Sequence, residues 1–124
     1  MTTENFEQLV QLQETNSNAS GYTFEVIINR EHAIFKGHFP ERAILPGVAM
    51  VEIFRRATEL ATGKKLRMKS SKSLKFLKMV EPSQTTRLNL SLSFKSIDKK
   101  IVAQGELNTE EGVYFKEMAT FIED

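Results

Sequence analysis

The sequence predicts an α+β fold in which an antiparallel sheet wraps around one long central helix. A single long helical segment, residues 46–62, lies between segments whose apolar residues alternate as they do in strands. Four alternating segments follow it, and none has the spacing of a second long helix. At 124 residues the chain is large enough for one hydrophobic core, so we expect a single domain over residues 1–124.

The segment before the central helix is predicted to hold a short helix, a loop and the first strand. Residues 3–13 place apolar side chains on one face at helical spacing, and the threonines before them can cap a helix. Residues 14–21 are polar and rich in turn formers, so we expect a loop there. Residues 22–28 alternate well enough to predict the first strand.

The central helix is predicted to begin near Pro46 and to end at Gly63. Proline suits the first helical turn, and glycine is the usual residue just beyond a helix. Strands are then expected at residues 66–80, 85–97, 101–107 and 113–122, with a turn at Asp98 and Lys99 before the third of them. The predicted order of elements is therefore β-α-β-β-β-β, with the helix against the concave face of the sheet.

Composition excludes several classes of function. There is no cysteine, which excludes disulfides, thiolate zinc sites and a cysteine nucleophile. No apolar segment approaches the ~20 residues that span a bilayer, and no leader is recognisable, so we expect a soluble cytoplasmic protein. The formal net charge of +1 does not favour nucleic-acid binding. Charge is uneven, however, because residues 64–78 contain seven basic residues and no acidic one.

Residues 37–52, GHFPERAILPGVAMVE, form the predicted site because they combine a histidine, a helix start and a carboxylate. The first free N–H groups of the helix, at Gly47 and Val48, should point outward with the positive end of the helix dipole behind them. Such groups can stabilise an oxyanion. Glu52 follows about one and a half turns later, on a segment apolar enough to desolvate it. Together with His38, these groups suit proton abstraction next to a carbonyl.

This segment resembles the signature of the 3-hydroxyacyl-acyl-carrier-protein dehydratases of the FabA/FabZ type. In that family a histidine in GHFP is followed by PGV at the head of a long helix and by an acidic residue fourteen positions after the histidine. His38 and Glu52 have this spacing. Weaker similarity extends to Phe35, where the family has an aromatic residue, and to residues 75–84, which resemble a strand ending in V-x-P-G-D. The resemblance implies the hotdog fold.

The resemblance also implies a reaction, the syn elimination of water from a (3R)-3-hydroxyacyl thioester to give the trans-2-enoyl thioester. Such a step occurs in fatty-acid or in polyene- or polyketide-like lipid biosynthesis. His38 would remove the α-proton, Gly47 would hold the charge on the thioester oxygen through its N–H, and Glu52 would assist departure of the β-hydroxyl. In relatives the histidine and the carboxylate of one site come from different subunits. His38 is therefore expected to face Glu52 of the partner subunit.

Partners follow from the same resemblance. The substrate would be carried on the phosphopantetheine of an acyl carrier protein, and no metal or organic cofactor is needed. A homodimer or higher assembly is expected, possibly with a second hotdog chain. The acyl chain would lie in an apolar tunnel at the dimer interface, whose predicted residues are Phe35, Phe39 and Pro46.

The basic segment has two interpretations. Carrier proteins are acidic, so basic residues beside the tunnel mouth would attract and dock them. Equally, lysines on the outer side of an edge strand protect it from aggregation. The predicted docking residues are Lys64, Lys65 and Arg67.

Glu52 belongs to a polar stripe on the helix, together with Arg55, Arg56 and Glu59. An arginine within one turn lowers the pKa of a glutamate, whereas a general acid at neutral pH needs that pKa raised. Relatives usually have an uncharged glutamine at the position of Arg56. Either Arg56 turns away from Glu52, or Glu52 stays ionised and His38 carries the proton in both directions.

Two other functions are compatible with the residues. A hotdog acyl thioesterase would use the same oxyanion site, but the histidine in GHFP argues against it, because hotdog thioesterases generally place their acid elsewhere. A non-catalytic acyl-binding hotdog subunit is the other alternative, and Arg56 beside Glu52 is consistent with it.

Overall fold

The protein is described by a computed structural model that covers residues 3–18, 21–36 and 43–124, with side chains from Phe6 onward. Within these ranges, two α-helices, one short 3-10 helix and six strands follow one another. In order they are α1 (Thr3–Leu9), β1 (Val10–Asn18), β2 (Gly21–Ile28), the 3-10 helix (Ala33–Lys36), α2 (Gly47–Thr62), β3 (Leu66–Phe76), β4 (Arg87–Ile97), β5 (Lys100–Thr109) and β6 (Gly112–Glu123).

The six strands form one antiparallel sheet in the order β1-β2-β4-β5-β6-β3. β1 and β3 are therefore its two edges. The turn between β4 and β5 is made by Asp98 and Lys99, whose φ angles are 49° and 66°. Positive φ at both positions matches the right-handed twist of a two-residue hairpin. The sequence prediction placed this turn at the same two residues.

The hydrophobic core lies between α2 and one face of the sheet. α2 buries six residues against that face: Ala49, Met50, Ile53, Phe54, Ala57 and Thr58. The ring of Phe54 contacts the rings of Phe121 and Phe115 on β6, with centroids 5.4 Å and 6.4 Å away. Gly105 on β5 lies so close beneath Phe54 that a Cβ at this position would overlap the ring. Aromatic packing thus fixes α2 on the sheet.

β3 is an irregular edge strand. Its register with β6 shifts between Met68 and Ser70 and again between Ser71 and Ser73. Each shift inserts one extra residue, and a lysine occupies both inserted positions, Lys69 and Lys72. Bulges and lysines are two common means by which an edge strand avoids uncontrolled pairing.

The predicted α+β architecture with one long helix is confirmed. α2 has the predicted bounds to within one residue, and all five predicted strands exist. The strand predicted over residues 66–80 ends at Phe76, so the chain leaves the sheet four residues earlier than expected.

The prediction for the N-terminal segment was wrong. We predicted a helix over residues 3–13 and a loop over residues 14–21, but α1 ends at Leu9 and β1 begins at Val10. β1 pairs with β2 from Val10 opposite Ile28 to its end, and most of its side chains are exposed. An edge strand is held by backbone hydrogen bonds to one neighbouring strand and does not need alternating apolar side chains. A polar sequence can therefore form such a strand.

Candidate active site

α2 begins at Gly47, one residue after the predicted start near Pro46. Pro46 precedes it in an extended conformation, with φ −62° and ψ 146°. The approach to the helix is fixed by Leu45, which is buried and donates its N–H to the carbonyl of Val80 at 2.8 Å. The N–H groups of Gly47 and Val48 have no carbonyl four residues earlier in the helix. They are therefore suited to bind an oxyanion.

The ring of Phe76, the last residue of β3, lies over this helix start. A Cβ on Gly47 would come within 2.9 Å of the ring, so glycine alone allows this approach without displacement. Phe76 also contacts Phe115, with centroids 5.7 Å apart, yet it remains 51% exposed. The sequence analysis did not single out Phe76. Its apolar position in a lysine-rich strand was the available signal.

Other predicted site residues are placed only in part. His38 and Phe39 lie outside the described residues. Phe35 is buried in the 3-10 helix, and Pro46 is partly exposed beside Gly47. The assignment of Phe35, Phe39 and Pro46 to an acyl tunnel stays a prediction.

Glu52 is held by two arginines. Arg55 forms a two-point contact with its carboxylate, Nε to Oε1 at 2.8 Å and a terminal nitrogen to Oε2 at 2.8 Å. Arg56 donates from Nε to Oε2, also at 2.8 Å. Both carboxylate oxygens therefore accept charge-assisted hydrogen bonds, which are the strong class of hydrogen bond in proteins.

These contacts set the ionisation of Glu52. Partial burial by itself raises the pKa of Glu52, but the hydrogen bonds and positive charges of Arg55 and Arg56 together lower it below its ordinary value. Of the two arrangements foreseen for Arg56, the one that keeps Glu52 ionised is present. Glu52 can accept a hydrogen bond at neutral pH, but it has no proton to donate.

Arg56 is fixed from a second side. Its guanidinium carbon lies 4.4 Å from the centroid of the Phe6 ring, which is buried, and its terminal nitrogen is 3.9 Å from Glu7 on α1. A cation above an aromatic ring is an attractive contact. Arg56 therefore joins α1 to the site rather than turning away into solvent.

Arg55 connects Glu52 to the edge strand β3. Its second terminal nitrogen donates to the carbonyl of Leu66 at 2.9 Å and lies 2.9 Å from Glu59. The N–H of Leu66 in turn donates to Glu59 at 2.7 Å. The sequence analysis placed Arg55 on the polar stripe but did not foresee this central role, because the contact to Leu66 depends on the tertiary fold.

The predicted docking residues lie at the other end of α2. A 16-residue helix is about 24 Å long, and Lys64, Lys65 and Arg67 follow its C-terminus. Lys64 and Arg67 form exposed ion pairs of 3.8 Å with Glu123 and Asp124. Lys64 and Lys65 also border a groove of about 750 Å³ between α2 and β1. Their role in docking stays a prediction.

The described residues contain no group of three histidine, aspartate or glutamate side chains placed to hold a metal ion. Within the same ranges, neither helix combines the length and apolar character needed to cross a membrane.

Comparisons with known proteins agree with the family indicated by the site. Residues 13–111 match the sequence profile of the ApeI-like family, described as ApeI dehydratase. A 3-hydroxyacyl-[acyl-carrier-protein] dehydratase FabZ from Lactobacillus helveticus is 32% identical over 107 residues, which cover 81% of this chain and 70% of the relative.

Solved structures give the same fold. The dehydratase heterocomplex ApeI:P from Xenorhabdus doucetiae superimposes with a TM-score of 0.61 at 15% identity, over 91% of this chain and 97% of that chain. A hypothetical thioesterase with coenzyme A from Streptococcus pneumoniae superimposes with a TM-score of 0.70 at 10% identity, over 99% and 97%. The chain has the hotdog fold and belongs to the ApeI-like dehydratases, within the hotdog 3-hydroxyacyl-acyl-carrier-protein dehydratase family.

Proposed function

We propose that this protein removes water from a (3R)-3-hydroxyacyl thioester, carried on the phosphopantetheine of an acyl carrier protein, to give the trans-2-enoyl thioester. The observation that carries the proposal is the start of α2, where outward N–H groups at Gly47 and Val48 precede an ionised Glu52 by about one and a half turns. Family membership supplies the reaction class. We place the step in fatty-acid or polyene- or polyketide-like lipid biosynthesis.

The ionised state of Glu52 decides how the proton moves in this proposal. His38 removes the proton from carbon 2, and the N–H groups at the helix start hold the negative charge that develops on the thioester oxygen. The double bond forms as the carbon 3–oxygen bond breaks. His38, now protonated, returns the same proton to the departing hydroxyl group, so one molecule of water leaves and His38 is regenerated.

Glu52 then orients the leaving group. As an ionised carboxylate it accepts a hydrogen bond from the β-hydroxyl and holds that group on the face of the substrate that His38 approaches. A single base that both takes and returns the proton accounts for elimination of the syn type. Arg55 and Arg56 keep the carboxylate ionised and fixed in direction.

A second copy of the chain completes this site in our proposal. Val48 on α2 and Leu74 and Phe76 on β3 are 67%, 43% and 51% exposed. The outer edge of β3 is free of strand pairing within the described residues. A second copy, or a second hotdog chain, would cover this apolar surface and bring His38 to Glu52 of the partner subunit.

A second candidate function is acyl binding without turnover. The observation that favours it is the double arginine contact on Glu52, which removes the general acid that a two-residue acid–base mechanism uses. Under this alternative the protein would bind an acyl chain stoichiometrically as one subunit of a larger assembly.

The test is hydration of a crotonyl thioester, the reverse reaction, followed by loss of enoyl absorbance. We expect turnover by the wild type, a loss of ~10² or more in His38→Ala, and a loss of roughly 10–10² in Glu52→Gln. Glu110→Gln, an exposed glutamate in the β5–β6 connection, is the matched control and should retain full activity.

The pH profile separates the two roles of Glu52. A general acid would lose activity as pH rises through its pKa, whereas an ionised acceptor loses activity as pH falls through its lowered pKa. A descending limb above pH 5 that disappears in Glu52→Gln would contradict the ionised role. Stoichiometric acyl binding with no turnover on short or long carrier substrates would replace the dehydratase with the acyl-binding alternative.

A further inference from the structure

The two carboxylate oxygens of Glu52 are not equally occupied. Oε2 accepts two hydrogen bonds, one from a terminal nitrogen of Arg55 and one from Nε of Arg56. Oε1 accepts a single hydrogen bond among the described residues, from Nε of Arg55. Since each carboxylate oxygen can accept about two hydrogen bonds, Oε2 is fully used and Oε1 has one position left. The Glu52 side chain is 26% exposed, so it is not sealed from a ligand.

This inequality depends on the orientation of Arg56. Arg55 contacts each oxygen once, whereas Arg56 contacts only Oε2 and does so through Nε. A terminal nitrogen of Arg56 is instead directed toward Glu7 on α1, 3.9 Å away. If Arg56 made a two-point contact with the carboxylate, as Arg55 does, it would also occupy the last position on Oε1.

Phe6 on α1 holds Arg56 in the observed orientation. The ring of Phe6 is buried, and its centroid lies 4.4 Å from the guanidinium carbon of Arg56. The contact between a cation and an aromatic ring is attractive, and only 16% of the Arg56 side chain is exposed. The ion pair with Glu7 is long and solvent-exposed, so it contributes little. The ring is therefore the main support of Arg56 outside α2.

The position of Phe6 is itself fixed by the sheet. Leu9, at the end of α1, is buried, and its carbonyl accepts a hydrogen bond of 2.9 Å from the N–H of Asn29. The side-chain amide of Asn29 donates to the carbonyl of Gln8 at 3.0 Å. Asn29 directly follows β2. A continuous series of contacts thus leads from β2 through α1 and Arg56 to the Glu52 carboxylate.

We propose that Phe6 is a positioning residue of the dehydration, which acts through Arg56 and leaves Oε1 of Glu52 as the atom that accepts a hydrogen bond from the β-hydroxyl. The inference rests on the proposed function, in which Glu52 orients the leaving group. Neither Phe6 nor Arg56 exchanges a proton with the substrate. Loss of the ring changes the direction in which Glu52 accepts, and the reacting groups stay the same.

The test is a kinetic double-mutant cycle on Phe6 and Arg56, with dehydration of (3R)-3-hydroxybutyryl pantetheine followed by the gain of enoyl absorbance. We expect kcat to fall about 5–10-fold in Phe6→Leu and in Arg56→Met, because the hydroxyl is less well oriented. KM should change less than about twofold, since the groups that hold the thioester are untouched. The double variant should be no slower than Arg56→Met alone, because Phe6 acts through Arg56.

Two further variants separate positioning from a merely structural role. Phe6→Tyr keeps an aromatic ring beneath the guanidinium and should retain kcat within about twofold. Phe24→Leu is the matched control, the same substitution at a buried ring on β2. It should lower Tm while kcat, measured well below Tm, stays at the wild-type value. A structural role of Phe6 would lower kcat equally with and without Arg56.

Failure of this inference is distinguishable from failure of the dehydratase. Turnover by the wild type, together with independent losses that multiply in the double variant, overturns the role of Phe6 and leaves the proposed reaction standing. An unchanged kcat in folded Phe6→Leu does the same. If Phe6→Leu does not fold, Arg56→Met decides alone, because an unchanged kcat there overturns the inference. A wild type without turnover overturns the proposed reaction and this inference with it.

A crystal structure provides a readout that needs no turnover. His38→Ala can be crystallised with (3R)-3-hydroxybutyryl pantetheine. We expect the β-hydroxyl oxygen within about 3 Å of the Glu52 oxygen that Arg56 does not contact. A hydroxyl bound to the oxygen that accepts from Arg56 overturns the inference.

Discussion

Glu52 on α2 is partly buried and Glu117 on β6 is buried, yet the pKa values of their carboxyl groups shift in opposite directions. Burial raises the pKa of each. At Glu52 two arginines donate three hydrogen bonds and the pKa falls below the ordinary value. At Glu117 the opposing partner is a single neutral hydroxyl and the pKa stays raised. Depth alone therefore does not decide the charge of a glutamate, because the nearest charged partners decide it.

The two environments suit different tasks. A carboxylate fixed by a two-point arginine contact is a rigid acceptor of hydrogen bonds, which fits the orienting role that we propose for Glu52. Glu117 has no charged partner and a raised pKa, so its position suits a site that does not need a fixed negative charge. The comparison can be sharpened by removing the partners of each group in turn.

The largest effect on stability is expected at Arg55. Arg55→Met leaves Glu52 with one partner, leaves Glu59 without its guanidinium and removes the donor to Leu66, so we expect about 2 kcal/mol of destabilisation in urea unfolding at pH 7. Arg67→Met is the control, since its 3.8 Å pair with Asp124 is exposed and should contribute under about 0.5 kcal/mol. Equal losses in the two variants would contradict a central role for Arg55.

An opposite and smaller effect is expected at Glu117. Glu117→Leu removes a buried atom with no hydrogen-bond partner in the described residues, so we expect stability to rise by about 1 kcal/mol. Thermal unfolding should show a higher Tm than the wild type, with Glu117→Gln between the two. A lower Tm in Glu117→Leu would mean that the carboxyl oxygen Oε1 of Glu117 has a hydrogen-bond partner in solution.

The smallest effect is expected in how the free energy of unfolding depends on pH. The contributions of Glu52 and Glu117 should change in opposite directions, each by about 1 kcal/mol or less. The pKa of Glu52 is lowered, so its contribution to stability is present above the ordinary value of 4.5 and is lost as pH falls through the lowered value. The pKa of Glu117 is raised, so its contribution is fully present below 4.5 and is lost as pH rises through the raised value.

Denaturant unfolding between pH 3 and pH 8 checks this pair. The stability of the wild type relative to Glu52→Gln should fall toward acid pH, and the stability of the wild type relative to Glu117→Gln should fall toward neutral pH. If both stability differences changed with pH in the same direction, the pKa values of the two carboxyl groups would not be shifted in opposite directions.

Much of the fold was predictable because apolar periodicity records which side chains are buried. The bounds of α2 followed from Pro46 and Gly63, and the hairpin turn followed from Asp98 and Lys99. β1 was not predictable in this way. Its side chains are largely exposed, and the hydrogen bonds to β2 that make it a strand leave no pattern in the sequence.

The site was predictable where its residues lie close together in sequence. The helix start beside Pro46 and the polar stripe that contains Glu52 and Arg56 follow from local sequence and helical spacing, and the structure has both. The contact between Arg55 and Leu66 and the position of Glu117 beside Ser71 join distant segments. Glu117 did carry one signal, an acidic residue in the apolar register of a strand, between Phe115 and Ala119.

The attachment of Leu66 to α2 has a consequence for exchange and assembly. Both backbone groups of this first residue of β3 are occupied by side chains of α2. A strand from another chain that pairs with β3 can therefore form its first backbone hydrogen bonds only beyond Leu66. This restricts the register in which another chain can extend the sheet. The amide proton of Leu66 should exchange with solvent only when β3 and α2 separate locally, and the rate of that opening is also the rate at which Arg55 loses its contact with β3.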